Sequence, residues 1–203
     1  MSTPPTRFVE TPGARRRFGP LLDRLAPALW RSDSLGDAAV AALNRDGWAG
    51  LDGALAGGRT SEDVRSLVAG ATEVPSWVDR ARVRRGGRVF LRTGVVGGIV
   101  LGARSLVAGY CSPAGNKPLV RTGALQRDGQ RRLAETGRFV AEVHRADGLE
   151  PGGPGWTICL KVRLMHAQVR SLLLARGDWV HEDWGAPLNQ HDLVATSLLF
   201  SVV

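Results

Sequence analysis

The stretch WTICLKVRLMHAQVRSLLLAR, residues 156–176, decides the fold class. Leu160 or Val162, Met165, Val169, Leu172 and Leu173 return at three- and four-residue intervals, the period of a helix that buries one side. His166, four residues after Val162 and three before Val169, shares that apolar face. The pattern repeats upstream. Between Gly129 and Arg145, Leu133, Thr136, Gly137, Val140 and Ala141 fall on one face, while Arg131, Glu135, Arg138, Glu142 and Arg145 lie largely off it. DGLEPGGPG, 147–155, separates the two segments as a turn-rich loop.

Working toward the N-terminus, helical spacing persists. Leu21, Leu22, Leu25, Ala28 and Leu29 form one set, and Leu35, Ala38, Ala39 and Leu43 another, capped by Asp33 or Ser34. A third helix opens at Thr60 or Ser61 with Glu62 and Asp63 in its first turn, and closes near Gly70. PSWVD, 75–79, starts a further short helix on its proline. No stretch alternates as a strand, so the fold class is all-α. The proline- and threonine-rich opening makes residues 1–20 a flexible arm, followed by N-terminal helices over 21–74. At the other end, after the Trp-rich loop GDWVHEDWGAPL, the segment NQHDLVATSLLFSVV begins a helix with Leu193, Thr196, Ser197 and Phe200 as its stripe. No capping glycine or polar tail follows, so the expectation is a domain truncated at its C-terminus or a last helix that needs a partner, the alternative being a short helix docked on the core.

With 203 residues, 43% hydrophobic and 23% charged, the chain has the composition of a globular domain, which excludes disordered and fibrous classes. Its net charge of +8 is local. Residues 80–127 carry 10 basic and no acidic groups, whereas 1–79 and 128–203 each carry one more acid than base. Within that segment RARVRRGGR, 80–88, leads into the apolar run VFLRTGVVGGIVLGARSLVAGY, 89–110. Spanning a bilayer takes about 20 apolar residues, and a central arginine costs roughly 2.5–3.5 kcal/mol, so Arg92 and Arg104 favour a buried helix here. Gly98 and Gly102 on it have the spacing for close approach of a backbone or a flat ligand. Cys111 and Cys159 lack the spacing of a redox or zinc motif and read as small core residues in a reducing, cytoplasmic setting. ARRRFG, 14–19, precedes a stretch broken by Asp23, Arg24 and Pro27, which argues against an export signal.

No P-loop, G-x-S-x-G elbow, strand-linked G-x-G-x-x-G or H-E-x-x-H is present, which removes the common nucleotide-binding, hydrolase and zincin readings. Histidine remains. His144 falls at a helix end, where the dipole suits a protonated ring. His181, Glu182, Asp183, His191 and Asp192 have no known ligand spacing and read as a solvated loop rather than a non-haem metal site. His166 stands between a core histidine and a metal ligand. Its surroundings point to haem: an imidazole for iron, apolar walls, and a second helix offering Arg132 and Thr136 one turn apart. Arg170, one turn beyond His166, is either a propionate partner or an exposed arginine.

Three motifs in order carry a family resemblance: RTGALQRDGQRRLAETGRFV, then KVRLMHAQVR, then GAPLNQHDLVATSLLFS. Together with PSWVD and GYCSPAGNKPLVRTG, they make residues 75–203 resemble the catalytic domain of the latex-clearing rubber oxygenases and MpaB-type oxygenases, formerly a domain of unknown function. The resemblance implies a globin-like helical bundle, incomplete at its C-terminus, that binds haem b with His166 on the iron and with Arg132 and Thr136 as pocket residues. It also implies O₂ and an apolar isoprenoid or lipid-like substrate, small or polymeric. Two positions depart from the pattern: Glu135 stands where latex-clearing enzymes have a lysine, and Asn116 stands near the place of their upstream glutamate. The reading is therefore a haem b-dependent oxygenase-like protein, with a non-catalytic haem-binding remnant as the alternative. Peripheral membrane contact suits the basic and apolar segments. A nucleic-acid site on RARVRRGGR is disfavoured, because no recognition-helix or aromatic-stacking motif accompanies the arginines.

Overall fold

Capping side chains set the helix starts. Thr11, Ser61, Asp79 and Asn189 each lie in extended backbone and accept a hydrogen bond from the amide three residues on. The computed structural model describes residues 3–123 and 129–200, and every regular element among them is helical. In chain order these are α1 (Pro12–Leu25), a 3₁₀ turn (Ala26–Trp30), α2 (Ser34–Asp46), α3 (Ala49–Leu55) and α4 (Glu62–Thr72). Next come α5 (Arg80–Arg92), α6 (Gly94–Val100), a π-helical stretch (Leu101–Leu106), α7 (Val107–Tyr110) and α8 (Pro113–Thr122). The chain continues through α9 (Gly129–Val143), α10 (Pro154–Ala175), α11 (His181–Trp184) and α12 (Gln190–Leu199). Residues 124–128 of the RTGALQRDGQRR stretch and the terminal SVV lie outside the described residues.

These elements gather into two compact units that interleave along the chain. One takes Ser34–Val100 and Ala124–Gln168. Its core is a cluster of small and branched side chains from four helices: Ala39, Val40, Ala42 and Leu43 of α2, Leu51 of α3, Val64 and Leu67 of α4, and Leu160, Leu164 and Ala167 of α10. Trp156 packs against this cluster and donates from its indole to the Ala71 carbonyl, so its polar edge is satisfied where it is partly buried.

The other unit takes Met1–Asp33, Leu101–Gly123 and Val169–Val203. Here the expected arm is corrected. Pro5 is fully buried, the Thr6 and Arg7 amides donate to the carbonyls of Glu182 and Asp183, and Arg7 pairs with Asp192 at 2.8 Å. The Thr11 cap, with proline in the first turn, then starts α1 at Pro12. Proline and threonine thus fix the segment instead of loosening it.

Three further expectations change. PSWVD makes a turn, closed by the Val78 amide on the Pro75 carbonyl, and Asp79 caps the following helix. The run 89–110 is neither continuous nor buried. Gly94 adopts φ 55° after Thr93, and the limbs on either side, Arg80–Arg92 and Gly94–Tyr110, are bent by 96°. Val95, Val96 and Ile99 are 79%, 66% and 60% exposed. No single described helix is long and apolar enough to cross a membrane; the two limbs of this bent pair together have that length and composition. Cys111, expected in the core, is exposed, and Cys159 is half-buried, where burial pushes its thiol pKa up.

Candidate functional site

Helix α10 carries both core residues and the candidate ligand. Leu164 and Ala167 are almost fully buried, while Met165 and Leu172, placed on the inward stripe by the sequence, are 46% and 51% exposed. His166 lies beside the core stripe, half-buried, in register with half-buried Val162 and Val169. Arg170 and Leu173, four and seven residues on, share its side of the helix and are buried.

Arg170 follows one turn later and is almost completely buried. This overturns its reading as an exposed arginine. Its Nη1 donates to the Leu188 carbonyl at 3.1 Å, and Leu188 holds the left-handed φ of 52°, a conformation that branched side chains seldom adopt. The next residue, Asn189, is buried too. Its Oδ1 accepts from the Asp192 amide, and its Nδ2 donates to the Ala186 carbonyl and to Asp192 Oδ2, each at 2.9 Å. P-L-N-Q-x-D-L is thus a self-satisfied turn and helix cap, with Asp192 also taking Arg7. The sequence held the signal for this role, since asparagine three residues before an acid at a helix start is capping spacing.

On α9, Arg132 is half-buried and Thr136 exposed, and the Thr136 hydroxyl donates to the Arg132 carbonyl at 2.8 Å. The helix has no buried residue. Its apolar side was expected to face inward, but Leu133 is 64% exposed, and the space where a Cβ on Gly137 would stand holds nothing within 4 Å. The structure thus puts Arg132 and Thr136 together on one helix, and His166 and Arg170 together on another, each pair one turn apart.

His144 is held locally. It stacks on Phe90 with ring centroids 3.9 Å apart, and its Nδ1 donates to the Val140 carbonyl. Asp183 accepts from the Thr6 hydroxyl. Among the described residues no group of three or more His, Cys, Asp or Glu side chains is arranged to hold a metal ion. A haem iron needs only one such side chain from the protein, so that finding does not bear on His166.

Acids from elsewhere in the chain serve much of the acid-free segment. Arg80 and Arg84 both pair with Glu150, Arg84 also lies 3.4 Å from Asp147, and Arg82 pairs with its own cap Asp79. Farther along, Arg121 pairs with Asp178, and Lys117 sits 4.0 Å over the Trp184 ring.

The family model described as ER-bound oxygenase mpaB/B′/rubber oxygenase, catalytic domain, matches residues 88–203, which include α9, α10 and α12. The chain belongs to this family. The rubber oxygenase of Streptomyces sp. (strain K30) is 30% identical over 153 residues, which cover 73% of this chain and 37% of that protein. The chain therefore spans little more than a third of the length of this relative. No solved structure matches it. Within the mpaB/rubber oxygenase domain, Glu135 and Asn116 both have local partners. Glu135 pairs with Arg131 at 2.8 Å across one exposed turn of α9. Asn116 donates from Nδ2 to the Gly109 and Ser112 carbonyls, tying the end of α7 to the start of α8.

Proposed function

We propose that this chain is a haem b-dependent oxygenase-like protein that acts with O₂ on an apolar, isoprenoid or lipid-like substrate. The observation that carries the proposal is the position of His166 inside the family's catalytic segment: half-buried, flanked by Val162 and Val169, and one turn before the buried Arg170. The residues present fit a haem by chemistry. An imidazole supplies the nitrogen, its aliphatic neighbours suit a macrocycle, and α9 offers an uncovered apolar edge where Gly137 leaves room for a flat group. When bound, haem supplies the iron centre for oxygen chemistry. His166 would hold it, Arg132 and Thr136 would donate hydrogen bonds to substrate oxygen or order water, and Arg170 would add a propionate contact to its bond with Leu188. Titration of the chain with hemin is expected to give a Soret band that shifts or weakens in His166→Ala. No band in the parent chain, or an unchanged band in the variant, overturns the reading.

The second reading is a haem-binding member without turnover. It is favoured by Glu135 and Asn116, which are committed to Arg131 and to backbone carbonyls at the two positions that depart from the family pattern. Oxygen uptake with a polyisoprenoid substrate separates the two readings. Uptake above the hemin-only control supports the oxygenase, and a Soret band without uptake supports the non-catalytic form.

A further inference from the structure

We infer that α5 and α6 form a docking surface for an anionic lipid bilayer. Helix α5 has two opposite sides. One is packed: Gly87 lies against the His144 carbonyl, Phe90 stacks on the His144 ring, and Arg80 and Arg84 pair with Glu150. The other carries Arg85, Arg88 and Arg92, spaced at i, i+3 and i+7 so that they stand in one row, all exposed. None of the three makes an ion pair with a carboxylate among the described residues, in contrast to their neighbours Arg80, Arg82 and Arg84. Two residues beyond this row the chain turns at Gly94 into α6. Gly97 is its buried position, and Val95, Val96, Ile99 and Val100 stand away from it, exposed at 44–79%.

A row of guanidinium groups with no carboxylate partner among the described residues, followed at once by four exposed aliphatic side chains, matches the layering of a membrane surface, with lipid phosphates outside and acyl chains beneath. Nucleic acid would engage the arginines but offers nothing to the valines and isoleucine, and no aromatic side chain stands among them for base stacking. A second copy of the chain would cover the aliphatic residues but would bring an identical cationic row with it. Charge complementarity therefore selects an anionic lipid surface. The inference does not depend on haem.

Flotation of the full chain with phosphatidylserine/phosphatidylcholine vesicles is expected to carry it to the lipid fraction, and pure phosphatidylcholine is expected to leave it in the soluble fraction. Sodium chloride at 0.5 M is expected to release it, since exposed charges are then screened over a few ångströms. Arg85→Glu/Arg88→Glu/Arg92→Glu should lower partitioning by on the order of a hundredfold. Val96→Asp/Ile99→Asp, which changes only exposed side chains, should abolish flotation while leaving the circular dichroism spectrum and unfolding midpoint intact. Equal binding to neutral vesicles, unchanged flotation in either variant, self-association or DNA binding without flotation, or retention after carbonate extraction would each overturn the proposal.

Discussion

Gly87 of α5 and the carbonyl of His144 just beyond α9 lie in direct backbone contact. A Cβ built at Gly87 would overlap the His144 oxygen and stand 3.1 Å from its carbonyl carbon. The contact is reinforced on both sides: Phe90, almost one turn later, stacks on the His144 ring, and Arg84, almost one turn earlier, reaches Glu150 and Asp147. Close backbone approach of this kind is what a missing side chain allows, and Gly98 and Gly102, selected by their spacing in the sequence, show nothing within 4 Å.

Gly87→Ala should therefore destabilise the protein by about 1–3 kcal/mol, because the obstacle is backbone and cannot rotate away. Its neighbour Gly86 is the internal control. Nothing lies within 4 Å of a Cβ there, so Gly86→Ala should gain about 0.5–1 kcal/mol from helix propensity alone. Urea unfolding followed by circular dichroism reads both. Equal effects of the two substitutions would show that the Gly87 contact carries no energy.

A second pair of substitutions tests which face of α10 is the core. Leu164 is fully buried among α2, α3 and α4 side chains, whereas Met165 is 46% exposed. Leu164→Ala should cost about 2–5 kcal/mol through lost burial and a cavity. Met165→Ala should stay within about 0.5 kcal/mol, as surface substitutions usually do. A reversed order in chemical denaturation would restore the stripe that the sequence pattern suggests.

That pattern explains how much could be seen in advance. The helical class, the Ser61 cap and the segments around α9 and α10 were legible, because a period of three to four residues and a capping hydroxyl act locally. The three motifs also carried the family, which the match over residues 88–203 shows. Which side of α10 faces the core was not legible. That helix is apolar almost all round, so Leu160, Val162, Leu164, Met165, Leu172 and Leu173 allow more than one stripe, and only packing with α2 and α4 selects among them. Arg170 was illegible for a related reason: its burial depends on a carbonyl 18 residues away. The run 89–110 was misread because hydrophobicity reports what a segment prefers, while Gly94 and its neighbours set where the helix breaks.

Asn189 is the next test. Substitution to alanine removes the acceptor for the Asp192 amide and the donor to the buried Ala186 carbonyl at one stroke. The cap and the newly unsatisfied carbonyl together predict a loss of about 1–3 kcal/mol. Asn189→Ser keeps an acceptor of the same type at the helix start and should recover part of that loss. Comparing their thermal midpoints checks the order. A midpoint for the alanine variant equal to the parent's would remove Asn189 from the structural role given to it.

Acid titration probes the same corner. Burial raises the Asp192 pKa, but hydrogen bonds with His191, Arg7 and Asn189 together outweigh it and hold the carboxyl below the ordinary aspartate value. A group whose pKa is lower folded than unfolded binds more protons in the unfolded chain. Its stabilising contribution is therefore complete above the unfolded value of about 4 and fades as the pH falls toward the folded one. Asp192→Asn should reduce stability at pH 7 and flatten the acid-side dependence below about pH 4. Arg7→Met removes one of the groups that hold the carboxyl down, so it should flatten that dependence in part while cutting the side-chain tie of the Thr6–Arg7 segment to α12 and leaving its bonds to α11. Unfolding free energies measured from pH 2.5 to 7 read both effects. If the parent and Asp192→Asn keep the same slope through that range, the acid-labile contribution lies elsewhere and Arg7–Asp192 does not hold the N-terminal segment in place.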